Sequence, residues 1–190
     1  MTVKVSKGTL AGSNFVLLKS SATAVGAQFL SLNLGPAFDG ADVTITAKRA
    51  GGGDGKVNVG LLDAGNVDLG KVTIGGDLGG IFAGDATADG AITSLTVGSL
   101  GLFRGRTSDG GGAPSSVVTG GVGSLKVAGD FAADFRIVRV SGAVGSGDAG
   151  SVMIGGSVIG GGTGFSGTFD VEDRVGSVTI KGDVRGGCGR

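Results

Sequence analysis

A short phrase recurs along the chain at intervals near 27 residues, and a repeat of that length constrains the fold more than any local propensity does. It reads KVTIGGDL at 71–78, SLTVGSL at 94–100, SLKVAGDF at 124–131, SVMIGGSV at 151–158 and SVTIKGDV at 177–184, with a degenerate copy, DVTITAK, from Asp42. Aligning Val43, Val72, Leu95, Leu125, Val152 and Val178 gives steps of 29, 23, 30, 27 and 26 residues, averaging 27. The longest step contains TSDGGGAPSS (107–116), which reads as a loop inserted into one turn.

Inside each copy the residues alternate with the period of a strand. Val72/Ile74, Leu95/Val97, Leu125/Val127, Val152/Ile154 and Val178/Ile180 point one way; Thr73, Thr96, Lys126, Met153 and Thr179 point the other. A glycine and an Asp or Ser then turn the chain, and Leu78, Leu100, Phe131, Val158 and Val184 supply another inward residue. Glycine is 44 of 190 residues, far above the usual level of roughly 7%. With 40% hydrophobic residues and a mean hydropathy of +0.35, the chain is too apolar for a disordered linker.

The expected fold is all-β: a parallel β-helix (β-solenoid), right-handed in type, with turns of about 27 residues stacked roughly 4.8 Å apart. A β-sandwich is the rival. Leucine-rich repeats are set aside because their L-x-x-L-x-L frame is missing. Glycines are expected at corners, for positive φ or close backbone approach. Phe82, Phe103, Phe131, Phe135, Phe165 and Phe169 recur once or twice per turn and are expected to stack in the core.

Residues 1–190 form one expected solenoid domain, with clear repeats over 42–184, less regular turns or a cap over 1–41, and an unfinished turn at 185–190. Val16 lies 27 residues before Val43, and Val3, Leu30 and Val57 are also 27 apart, so the period is expected to reach the N-terminus as about seven turns. An uncapped solenoid end exposes unpaired backbone, so self-association through it is expected.

Sixteen basic and sixteen acidic residues cancel. That balance argues against nucleic acid as a partner and against a polybasic membrane contact. No apolar stretch approaches the length of a spanning helix, so no membrane insertion is expected, and the first residues lack the core of a signal peptide.

The chain has no histidine, which removes Ser-His-Asp and Cys-His catalysis. One cysteine, Cys188, excludes an internal disulfide and the usual structural zinc sites. GGGDGKV (51–57) fails as a phosphate-binding loop, because Ala50 and Val57 replace its first glycine and its Ser or Thr.

Carboxylates remain. Asp77, Ser99, Asp130, Ser157 and Asp183 alternate at the aligned corner, a ladder that separates like charges by two turns, roughly 9.6 Å. DVEDR (170–174) holds the only glutamate. Arg136 and Asp170 fall at matching positions of adjacent turns and are expected to form an inter-turn ion pair, with Arg104 and Arg106 on the same face. If the protein is an enzyme, its site is expected among Asp130, Asp134, Asp170, Glu172 and Arg136, with Asp77, Asp173 and Arg104 as further candidates for one shared groove. No cofactor is expected; a divalent cation on Asp170, Glu172 and Asp173 is the candidate.

The phrase G-S-[VL]-T-[VI]-G-G-[DS]-[VL], clearest at 70–78, 123–131, 150–158 and 176–184, resembles the glycine-rich β-helix repeats of large bacterial surface and secreted proteins, broadly adhesin-like or filamentous-haemagglutinin-like. The resemblance covers 42–184, rests on repeat style and brings no catalytic residues with it. It implies a longer parent, an extracellular or cell-surface location, and a structural or interaction role without chemistry of its own. The alternative is a hydrolase or carbohydrate-active enzyme working through surface carboxylates, metal-assisted or not. A carbohydrate-binding module without turnover is the third reading. Pectate-lyase-like and rhamnogalacturonase-like enzymes are similar in fold class alone, which is an analogy.

Overall fold

A computed structural model describes residues 1–19, 27–49, 53–87, 90–103, 115–161 and 166–186. Its strands, in chain order, are β1 (Thr2–Val5), β2 (Phe15–Lys19), β3 (Ala27–Asn33), β4 (Ala41–Thr46), β5 (Val59–Asp63), β6 (Leu69–Ala83), β7 (Ile92–Leu100), β8 (Ser116–Thr119), β9 (Val122–Val127), β10 (Asp134–Val138), β11 (Ala149–Ile154), β12 (Val158–Ile159), β13 (Thr168–Val171), β14 (Val175–Ile180) and β15 (Val184–Arg185). Two short 3-10 helices, Gly12–Asn14 and Pro36–Phe38, are the helical elements among the described residues. None is long and apolar enough to cross a membrane.

Thirteen strands join in one sheet, mostly parallel, and β12 pairs with β15 beside it. The sheet divides into two runs. In the first, Val43 pairs with Val72, Val72 with Leu95, Leu95 with Leu125, Leu125 with Val152 and Val152 with Val178. Every step of the sequence alignment is therefore one step between hydrogen-bonded neighbours. The second run takes β3, β5, the end of β6, β8, β10 and β13. Its 15 residues put β6 in both runs.

The alternation decides what is buried. Val43, Val72, Leu95, Leu125 and Val152 are all buried, as are Ile45, Ile74, Val97, Val127 and Ile154 two residues on. Each such side chain contributes roughly 1.5–3 kcal/mol of transfer free energy. Leu32, Leu62, Ile81 and Phe135 do the same in the second run. Leu78, Leu100, Phe131, Val158 and Val184 form the corner column between the runs.

The glycines flanking the first run are demanded by close approach rather than by positive φ. A Cβ on Gly123 would lie 2.5 Å from the carbonyl oxygen of Thr93, and one on Gly150 or Gly176 would collide with the preceding glycine's carbonyl. On the other flank, a Cβ on Gly98 would lie 2.8 Å from the Gly76 oxygen, and one on Gly129 3.0 Å from the Gly98 oxygen. Positive φ occurs elsewhere, as at Gly40 and Gly120.

The N-terminal extension of the 27-residue period is overturned. β1 runs antiparallel to β4, with Val3 opposite Ile45 and Val5 opposite Val43, and β2 runs antiparallel to β3 with Val16 opposite Ser31. Leu30 is half-buried, and Phe29 and Leu32 take the step to Val59 and Leu62, which is 30 residues. The phenylalanine expectation divides. Phe131 and Phe135 are buried and Phe169 packs on both rings, whereas Phe82 is half-buried in register with Val117, and Phe103 is exposed. Phe165, Arg104, Arg106, Cys188 and most of the 107–116 loop lie outside the described residues.

Candidate functional site

Three parallel strands, β8, β10 and β13, present the face on which the candidate residues meet. Their register sets Val117 beside Arg136 and Arg136 beside Asp170, with Asp134 opposite Thr168. Alternation turns this set away from the core because the intervening Phe135 and Ile137 are buried. Ser115, Val117, Asp134, Arg136, Thr168 and Asp170 line a groove of about 350 Å³.

Arg136 is spoken for on two sides. Its Nε lies 3.2 Å from Asp170 Oδ2, the inter-turn pair expected from the sequence, and its Nη2 donates to Glu172 Oε1 at 2.8 Å. Glu172 Oε2 also accepts from the Arg139 backbone N–H at 3.0 Å. Asp134 is half-buried, and its carboxylate has no hydrogen bond or ion pair with another described residue. The groove thus offers one uncommitted carboxylate, one carboxylate held by an arginine, and the hydroxyls of Thr168 and Ser115.

The other candidates lie elsewhere. Asp173 turns from Asp170 and Glu172 toward Arg139, whose Nη1 lies 3.5 Å from its Oδ1, and its side chain is only 7% exposed. Asp173 Oδ2 accepts from the backbone N–H groups of Gly145 and Gly147, both at 3.0 Å, so this acid pins the segment after β10. Arg174 N completes the clamp by donating to Asp148 Oδ1 at 3.0 Å. The acids of DVEDR are therefore split between two arginines, Asp170 and Glu172 on Arg136 and Asp173 on Arg139, and no group of three or more metal-ligating side chains gathers among the described residues.

Asp130 belongs to the corner ladder rather than the groove. Its Oδ1 accepts from Ser157 N at 2.8 Å, and Ser157 Oγ accepts in turn from Asp183 N at 3.1 Å. Asp77, 1% exposed, heads the ladder and accepts from Ser99 Oγ, Leu102 N and Phe103 N. Asp77 and Asp130 also line a smaller cavity, about 190 Å³, with Lys56, Asn58 and Phe103.

Sequence reasoning missed the Asp173–Arg139 clamp and the buried Ser116, whose Oγ accepts from Ile81 N at 3.2 Å. The small-residue turn at 145–148 was the available signal for the first. Nothing in the run SSVV marks Ser116 as a core residue.

No protein-family model, curated protein or solved structure matches the chain.

Proposed function

We propose that the chain is a parallel β-helix with turns of about 27 residues, acting as a structural and interaction scaffold without chemistry of its own. The observation that carries this reading is the agreement between sequence repeat and sheet register over the six residues from Val43 to Val178. The use of its acids supports the same reading. Asp77, Asp130, Asp148 and Asp173 accept from backbone N–H groups of neighbouring segments, the work of structural carboxylates. The likeness of the repeat phrase to glycine-rich bacterial surface and secreted proteins extends the reading to an extracellular or cell-surface location within a longer parent.

Deleting residues 126–152 removes one register step and joins Leu125 to Met153. A β-helix tolerates the loss of a whole step, because each turn packs on its neighbours alone. The shortened protein is expected to keep its β circular dichroism and a cooperative melt, while a half-step deletion of 126–138 unfolds. Unfolding of both would overturn the reading and favour a sandwich.

The groove favours a second reading, a carbohydrate-active hydrolase, since Asp134 and Asp170 share it with Arg136. A polysaccharide screen, with and without divalent cations, tests this alternative. Turnover that disappears in Asp134→Asn with folding intact would displace the scaffold reading.

A further inference from the structure

We propose that the outward face of the second run is a binding track for an extended, neutral polysaccharide laid along the stack of turns. The proposal deepens the scaffold reading by naming its partner. It rests on that reading, which makes this face the side of the stack, so turns added at either end lengthen it and cover none of it.

Asn33 pairs with Asp63, Asp63 with Phe82, Phe82 with Val117, Val117 with Arg136 and Arg136 with Asp170. One row thus crosses six strands in unbroken register, and at roughly 4.8 Å per step it is about 24 Å long. None of these side chains is buried, whereas Leu62, Ile81, Val118 and Ile137, their neighbours along the strands, all are. Phe82 is the member that extends the groove. Alternation turns its ring outward next to Val117, which lines the groove with Asp134 and Arg136. The two form an apolar platform within a polar row, on which the C–H face of a sugar ring can pack. Leu61, on the same face two residues before Asp63, widens the platform, and its partner Gly80 raises no side chain beside it.

Polar groups flank the platform. Arg136 is fixed by Asp170 and Glu172 and presents Nη1, which bonds to no other described residue. A guanidinium already held in place loses little rotamer freedom on binding. With the free Asp134 carboxylate it sets a donor beside an acceptor, which suits hydroxyls that are both.

Charge and backbone select the ligand class. Asp63, Asp134, Asp170 and Glu172 outnumber Arg136 on this face, which disfavours nucleic acid and uronate chains alike. The N–H and C=O groups of these strands are committed to their ladders, so a peptide finds no edge to extend. A ligand held by side chains alone, along a straight row, must carry many hydroxyls per unit length and stay extended.

Native electrophoresis of the full chain through gels cast with hydroxyethylcellulose, arabinoxylan or galactomannan is expected to show retardation by at least one of them. Polygalacturonate and chitosan are expected to cause none, and calorimetric titration with the retarding polymer is expected to be insensitive to salt. Phe82→Ala and Asp134→Ala are each expected to weaken binding about tenfold or more with unchanged circular dichroism, while Thr73→Ala, on the outward face of the first run, leaves it unchanged. Should Phe82→Ala fail to fold, Asp134→Ala carries the test, since its carboxylate bonds to no other described residue. A folded protein retarded by none of the neutral polymers, or only by a charged one, would overturn the proposal and leave the scaffold reading intact. Undiminished binding by Asp134→Ala would also overturn it. Release of reducing ends from a retarding polymer would overturn it in favour of the hydrolase. Failure of the scaffold reading has its own signature, the unfolding of the 126–152 deletion.

Discussion

Ser99 sits beside Asp77 in the parallel register of β6 and β7 and donates its hydroxyl to Asp77 Oδ1 across 2.6 Å. The carboxylate also holds the chain just past β7, taking Leu102 N and Phe103 N at 3.1 Å each. Asp77→Ala strips a buried acceptor from three donors and is expected to lower unfolding free energy by about 3 kcal/mol, against about 1 kcal/mol for Ser99→Ala. Urea unfolding of the two variants checks the order. Equal and small losses would mean that solvent reaches the site.

A single methyl group should distinguish the close-packed glycines from the tolerant ones. Gly150→Ala drives a Cβ into the Gly123 carbonyl, whereas Gly35 has nothing within 4 Å of where its Cβ would stand. The first is expected to cost about 3 kcal/mol or more, the second under about 0.5 kcal/mol. Thermal melts read the difference directly.

Arg136 bonds to two acids, yet it is half-exposed, as is Asp170. Arg136→Ala is expected to destabilise by about 1 kcal/mol or less, and by still less in 1 M salt, because solvent and ions screen the pair. A double-mutant cycle with Asp170→Ala measures the coupling. A coupling well above 1 kcal/mol would show that the groove is drier than its exposure implies.

Asp85 titrates below the ordinary carboxylate range, because the Thr87 hydroxyl and the Thr87 N–H both donate to its Oδ1. The sign follows from the depressed value in the folded state: its contribution to stability is present above the ordinary carboxylate pKa and is lost as pH falls through the lowered one. Carboxyl carbon chemical shifts followed through an acid titration are expected to show the depression, and Thr87→Ala to shrink it.

The parallel part of the fold was legible because two sequence signals coincide there. Alternation places Val72 and Ile74 on one face, and the recurring phrase aligns them with Leu95 and Val97. At the N-terminus only alternation is available, and it is the same for either strand direction; Val3 and Val5 alternate as well against β4 antiparallel as they would parallel. The spacing of Val3, Leu30 and Val57 was coincidence.

Within the site, Arg136 and Asp170 were found by counting from Phe135 and Phe169, which pair one residue earlier in the same register. Asp173 was misplaced because its partner, Arg139, comes just after β10, where no repeat fixes a position. The glycines carried a mixed signal. Composition revealed their excess, but whether φ or a neighbour's carbonyl requires them depends on the peptide plane of the adjoining strand.

The double membership of β6 bears on how the molecule comes apart. β6 hydrogen-bonds to β4, β5, β7 and β8, so freeing it disrupts four neighbours at once, whereas β13 and β14 each let go of one. Fraying that begins at those outer strands must stall at β6, where the two runs are knotted into one length of backbone. Amide protons should therefore survive longest in deuterium along β6 and wear away toward β13 and β14. The middle of the chain acts as a keystone, and the exposed edge is where the molecule breathes.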